Sequence, residues 1–126
     1  MAKDENKTVW QLIFDELKNN SIDVYPPATK INECKNPYVV IKFSGSTKYY
    51  SYSTQRDYYD FYLYVPRNSY SQLANFEADV KKILDSPPLF PMIMPTGQSE
   101  NDYYDDNINA HLRIFTYYNN KRVKHL

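Results

Sequence analysis

Tyr58-Tyr59-Asp60-Phe61-Tyr62-Leu63-Tyr64-Val65 is the most regular segment of the chain, and the fold turns on it. Tyr59, Phe61, Leu63 and Val65 alternate with Tyr58, Asp60, Tyr62 and Tyr64, the period-two pattern of a strand with one apolar face. The other face is tyrosine and carboxylate. Upstream, Thr54-Gln55-Arg56 reads as a polar break. Before it, Val39, Ile41 and Phe43 alternate with Val40 and Lys42 over Tyr38 to Phe43, and Ser44-Gly45-Ser46 supplies turn residues. The spacing predicts strand, tight turn and a second strand near Lys48 to Ser53, with Tyr50 and Tyr52 on one face. Downstream, Pro66 closes the central strand. Ser69 and Gln72 stand at capping-box spacing ahead of Leu73, Phe76, Val80, Ile83 and Leu84, the three-and-four rhythm of an amphipathic helix. Glu77 and Lys81 lie one turn apart on its polar side.

The flanks complete the order. Thr8 and Gln11 form a capping box for a first helix carrying Val9, Trp10, Ile13, Phe14 and Leu17, fading at Asn19-Asn20-Ser21. From Asp23 to Pro37 the prolines 26, 27 and 37 predict an extended connection. Leu89 to Met94, bracketed by prolines, allows a short edge strand at most, and Thr96 to Asn107 reads as a polar, acidic loop. Ile108 to Tyr118 is a long strand with one buried face, followed by a basic tail. The order α-β-β-β-α-β-β predicts a single α+β domain over 1–126 with short polar N-terminal and basic C-terminal tails. Its core is an antiparallel sheet of four to five strands with two helices on one face.

At 126 residues the chain suits one core. Fifteen basic residues balance fifteen acidic ones, and no run of Lys and Arg exceeds two, so the field that concentrates a protein on nucleic acid or an anionic membrane is missing. The first seven residues are polar, and no stretch approaches the roughly 18 to 20 apolar residues of a membrane span. The expectation is a protein of the cytosol, or of something assembled there.

Catalytic chemistry has few footholds. Cys34 is the only cysteine, so neither an intrachain disulfide, a Cys/His zinc cluster nor a CxxC pair can be built. The histidines are His111, within a strand, and His125, next to the end. A Cys34–His111 thiol and base pair is the one nucleophilic arrangement available, and nothing local supports it. Gly45 and Gly97 are too far apart for a phosphate loop. The acidic stretch Glu100, Asp102, Asp105 and Asp106 lacks the alternate ligands and central glycine of a calcium loop. No enzyme, cofactor or metal is expected.

Fourteen tyrosines are the oddity of composition. A ring with a polar tip suits surfaces that are wet before assembly and dry after it, although coding bias that inflates Tyr, Asn and Lys together explains the excess equally well. Tyr58, Tyr62 and Tyr64 share a strand face, as an interface or as a ladder that merely shields the sheet. Tyr103 and Tyr104 cannot easily both pack inward from a loop. Lys121 and Arg122, with Lys124, form a basic tail that suits an acidic neighbour, including another copy's acidic loop. These seven, Tyr58, Tyr62, Tyr64, Tyr103, Tyr104, Lys121 and Arg122, are the candidate protein interface.

The helix, the strands ending at Tyr-Asp-Phe-Tyr-Leu-Tyr-Val-Pro, the second helix and the final strand together resemble small tail terminator or tail-completion proteins of tailed bacteriophages. The same holds of Asp102-Tyr103-Tyr104-Asp105 followed by Arg113-Ile114-Phe115-Thr116-Tyr117 and Lys121-Arg122. The likeness spans Thr8 to Arg122 and implies a virion protein assembled in the bacterial host cytoplasm. It also implies a hexameric ring without catalytic residues that caps the tail tube and binds the neck. On that expectation Glu100, Asp102, Asp105 and Asp106 face a lumen through which DNA slides without specific binding. Another head-to-tail connector adaptor, or a stand-alone cytosolic binding module, is the alternative.

Overall fold

The computed structural model describes residues 7–30, 32–49 and 51–122. The side chains of Tyr52 and Arg122 are not among what is described, and Tyr50, Lys124 and His125 lie outside the described residues. Over these described residues the chain is α+β: two α-helices pack on one face of a mixed six-stranded sheet. Helix α1 spans Val9–Asn19, strand β1 Val24–Tyr25, β2 Tyr38–Tyr49 and β3 Ser51–Pro66; helix α2 is Leu73–Leu84, followed by β4 Met94–Ser99, β5 Tyr103–Asp105 and β6 Ala110–Arg122.

The central strand is as its alternation requires. Tyr59, Phe61, Leu63 and Val65 are buried, and β3 runs antiparallel to β2 on one side and to β6 on the other, paired from Thr54↔Arg122 to Pro66↔Ala110. Above this face sit Ile13 and Leu17 of α1 and Leu73, Val80 and Leu84 of α2, with Leu89 and Ile93 of the following turn. Burying each of these aliphatic side chains contributes about 1.5 to 3 kcal/mol before entropy is counted. Tyr117 belongs to the same core and donates its hydroxyl to Asp85 at 2.8 Å, so its polar tip is satisfied where its ring is buried.

Local signals explain the helix ends unequally. Thr8 and Gln11 form the expected capping box, the Gln11 N–H donating to Thr8 Oγ1 at 3.2 Å and the Thr8 N–H to Gln11 Oε1 at 2.9 Å. Ser21, at φ 66°, turns the chain out of α1. The box at Ser69 and Gln72 does not form. Arg67–Gln72 winds as a 3₁₀ segment kinked at Ser69, and α2 starts behind Gln72 without a side-chain cap. The Glu77–Lys81 pair is made, at 2.8 Å.

Five expectations about the strands change. Ser44-Gly45-Ser46 is a bulge and not a turn: β2 continues to Tyr49, and the register with β3 shifts between Phe43 and Gly45, whose φ is 118°. The supposed break at 54–56 is continuous strand, so the three strands expected over 38–65 are two long ones, β2 and β3, paired antiparallel as far as Tyr49↔Ser51. The edge strand near the prolines begins at Met94, because Leu89 and Ile93 turn inward to the core. The segment 96–107 holds the end of β4 and all of β5, both antiparallel to β6. The sheet is not wholly antiparallel either, since β1 lies parallel to β2, Val24↔Val39 and Tyr25↔Val40. On β6 the helix side takes Phe115, Tyr117 and Asn119, while Ala110 and Ile114 are buried on the reverse, so both faces are partly closed.

Candidate functional site

Because strand side chains alternate, the residues out of phase with the core share the sheet face that neither helix covers. β3 places Tyr58, Tyr62 and Tyr64 there, all half-buried; β2 adds Tyr38, Val40 and Lys42; β6 adds Ile114 and Tyr118. The rings are organised. Tyr38 stacks on Tyr64 at 4.8 Å, and Tyr25 meets Tyr38 edge-on at 5.5 Å. Lys30 lies over the rings of Tyr25 and Tyr38, and the Arg56 guanidinium sits 4.0 Å above the ring of Tyr118. Asp60, between Tyr58 and Tyr62, accepts the Thr116 hydroxyl at 2.7 Å.

Two shallow concavities follow from this layout. One, of about 440 Å³, has Tyr38, Tyr62 and Tyr64 as its floor, Lys30 and Lys42 on one side and Asp105 on the other. The second, of about 380 Å³, lies beside Glu100, Ile114 and Thr116. Burial pushes the phenols of Tyr38, Tyr62 and Tyr64 above the usual tyrosine range, so near neutrality they remain hydroxyl donors. One end of the face is closed: Cys34, Tyr38 and Ala110 form a small second core, with Ile108, Tyr25, Val40 and Tyr64 against it.

The acidic segment does not present one charged surface. Asp102 turns to the helix side, where Arg113 grips both its oxygens, Nε to Oδ1 and Nη2 to Oδ2, each at 2.8 Å, and the Tyr70 hydroxyl donates at 2.6 Å. Hydrogen bonds from Arg113 and Tyr70 hold this carboxyl down at about 2, although partial burial opposes them. Arg113 also donates to Glu77 of α2 at 2.7 Å, tying the segment to the helix. Asp105 accepts the Asn107 N–H at 2.9 Å and lines the tyrosine groove, whereas Glu100 and Asp106 are exposed.

The remaining candidates are dispersed. Tyr103 and Tyr104 point to opposite sides of β5, 51% and 39% exposed, and Tyr104 rests on His111, which Tyr70 flanks from the other side. Lys121 reaches Asp57 of its own chain at 3.3 Å and stays half exposed. Burial alone would raise the Asp57 carboxyl, but donors from Gln55, Ser46 and Lys121 hold it below its ordinary value. Tyr38, Tyr118, Lys30 and Lys42 belong to the face and were not singled out by the sequence. The parity of Tyr38 with Val40 carries the signal for the first. Tyr118 becomes visible only once β6 is known to pair with β3.

Cys34 and His111 do not form a catalytic pair. The thiol is buried in the second core, donating to Asn36 O at 3.4 Å, while His111 lies on the helix side, its Nε2 3.0 Å from Arg67 O. Among the described residues no group of three His, Cys, Asp or Glu is placed to hold a metal ion, and no helix is long and apolar enough to cross a membrane. No known protein-family model matches the chain, and no curated protein matches it in sequence.

Proposed function

We propose that the chain is a structural subunit of a phage virion, a tail terminator-like ring component that caps the tail tube and joins it to the neck. The observation that carries this reading is the uncovered sheet face. An α+β sandwich of this size closes one face with helices; here the other is floored by organised tyrosines with cations and carboxylates around them, the make-up of a surface that becomes dry on assembly. The sheet edges are less suited to recruiting neighbours by strand addition. On β2 the bulge at Gly45 breaks the edge, and the Trp10 indole already donates to Ile41 O at 2.9 Å. β4 carries Pro95, which has no N–H, and Gly97 at φ 84°. Docking therefore falls to faces, and a head-to-tail ring needs two different ones: the tyrosine face and the helix face or strand ends of the next copy. In such a ring Glu100 and Asp106 are the acidic side chains left to face a passing polyanion.

The test is genetic and structural together. Removing the gene should give overlong or unjoined tails, restored by the wild-type chain and not by a Tyr58→Ser/Tyr62→Ser double variant. Normal particles from the deletion would end the proposal. The 440 Å³ groove favours one other reading, a stand-alone binding module, for which the same double variant would abolish ligand binding by a protein that stays monomeric in its working complex.

A further inference from the structure

The wall of the tyrosine groove and Asp102, the residue Arg113 holds, belong to one short segment, residues 100–109, yet they lie on opposite sides of the sheet. Asp102 is bound on the helix side to Arg113 and Tyr70. Asp105, Asn107 and Ile108 line the groove on the tyrosine side, and Ile108 packs against the buried cluster of Cys34, Tyr38 and Ala110. Between them the segment has little else to hold it. β5 pairs with β6 over three residues, Tyr103↔Leu112 to Asp105↔Ala110, and the β4 register breaks between Pro95 and Ser99. A few hydrogen bonds mark its ends: Glu100 N–H to Ile114 O at 3.1 Å, and at the other end Cys34 N–H to Ile108 O at 2.8 Å and Asn109 Nδ2 to Glu33 Oε2 at 3.3 Å. Residues in the left-handed region flank it, Gly97 at φ 84° and Asn109 at φ 52°, where the backbone changes direction. A segment with few ladder bonds, exposed rings and one dominant charged contact opens at lower free energy than the β2–β3–β6 body.

We propose that residues 100–109 are a latched wall of the tyrosine groove. While Arg113 holds Asp102, Ile108 stands over Cys34 and closes that end of the face. When the pair is broken, the segment swings away about Gly97 and Asn109 and uncovers Cys34 and Tyr38. The release works across the sheet: a partner that draws Arg113 or Asp102 away on the helix side widens the groove on the tyrosine side. Its use as a gate for docking rests on the reading of the tyrosine face given above; the opening itself does not.

Cys34 supplies the probe, being the only thiol in the chain and 3% exposed. Its labelling by dithionitrobenzoate, without denaturant, should be about tenfold faster in Asp102→Asn than in the wild type, as for a local opening made easier by one charged contact. Tyr70→Phe, which removes one donor to Asp102, should give a smaller increase in the same direction. Hydrogen exchange locates the motion: the amides of Glu100 and Tyr103 to Asp105 should exchange faster in both variants. The Val39 amide, bonded to Asp23 O in the β1–β2 pair, should remain far better protected than these amides in the wild type and in both variants. Equal labelling in variant and wild type would overturn the proposal, and so would protection at Glu100 and Tyr103 to Asp105 as high as at Val39, which reports opening of the whole fold and not of the segment. If Asp102→Asn does not fold, Tyr70→Phe decides by the same two readouts. A variant that labels faster but assembles as the wild type does leaves the latch standing and removes the gate.

Discussion

Replacing Asp102 with asparagine is expected to lower stability by about 2 kcal/mol, because it weakens two charge-assisted hydrogen bonds and leaves Arg113 half-buried with Glu77 alone. The effect must depend on pH. In the fold the Asp102 carboxyl sits at about 2, below the roughly 3.9 of an unfolded chain. A depressed carboxyl contributes stability that is complete above its unfolded value and lost as pH falls through its folded one. Glu77 and Asp57 are lowered as well, each by donors that outweigh its burial. Urea midpoints of the wild type should therefore fall between about pH 4 and pH 2, and Asp102→Asn should show a shallower fall over that window. Parallel curves would mean that the pair contributes nothing. The sequence revealed the parity of the tyrosines, because alternation is local. It did not reveal this network, whose members lie at positions 70, 77, 102 and 113. The one hint was a charged Arg113 in phase with Phe115 and Tyr117, a placement that asks for a partner.

Elements were legible where one local rule decides them. The first helix follows from its capping box, and Thr8→Ala should cost about 1 kcal/mol in thermal or urea unfolding. The hairpin was misread because Ser-Gly-Ser suits a turn and a bulge equally well, and only the pairing partner separates them. The bulge reverses the alternation of β2: Val39 and Ile41 face the helices before it, and Ser46, whose hydroxyl reaches Asp57 at 2.7 Å, faces them after it. Gly45 is required by its backbone and not by crowding, since a Cβ there would meet nothing within 4 Å. Gly45→Val should accordingly destabilise by about 1 to 2 kcal/mol, and Gly45→Asn by less, as asparagine tolerates positive φ better. Equal losses in the two would point to side-chain bulk instead. The β4 and β5 strands were hidden for a related reason. Each is short and borrows its conformation from β6, so neither has a pattern of its own.

At the scale of the molecule, the sequence yielded a two-helix α+β sandwich but neither the sixth strand nor the parallel pairing of β1, because two-residue strands leave no periodic trace. If the tyrosine face is the docking surface, Tyr58→Ser/Tyr62→Ser should leave the unfolding midpoint within a few tenths of a kcal/mol per site of the wild type, as for half-exposed positions. Co-sedimentation with assembled tail tubes should be lost. A large drop in stability with binding intact would make those rings structural. The long β3–β6 pairing, from Thr54 to Pro66, has one more consequence. Tension applied along the strands loads all its hydrogen bonds in shear together, whereas tension across them peels the bonds off one by one. A particle that pulls on this subunit lengthwise would meet its stiffest direction, and a pulling experiment with handles at residues 54 and 110 should rupture at higher force than one with handles at 66 and 110.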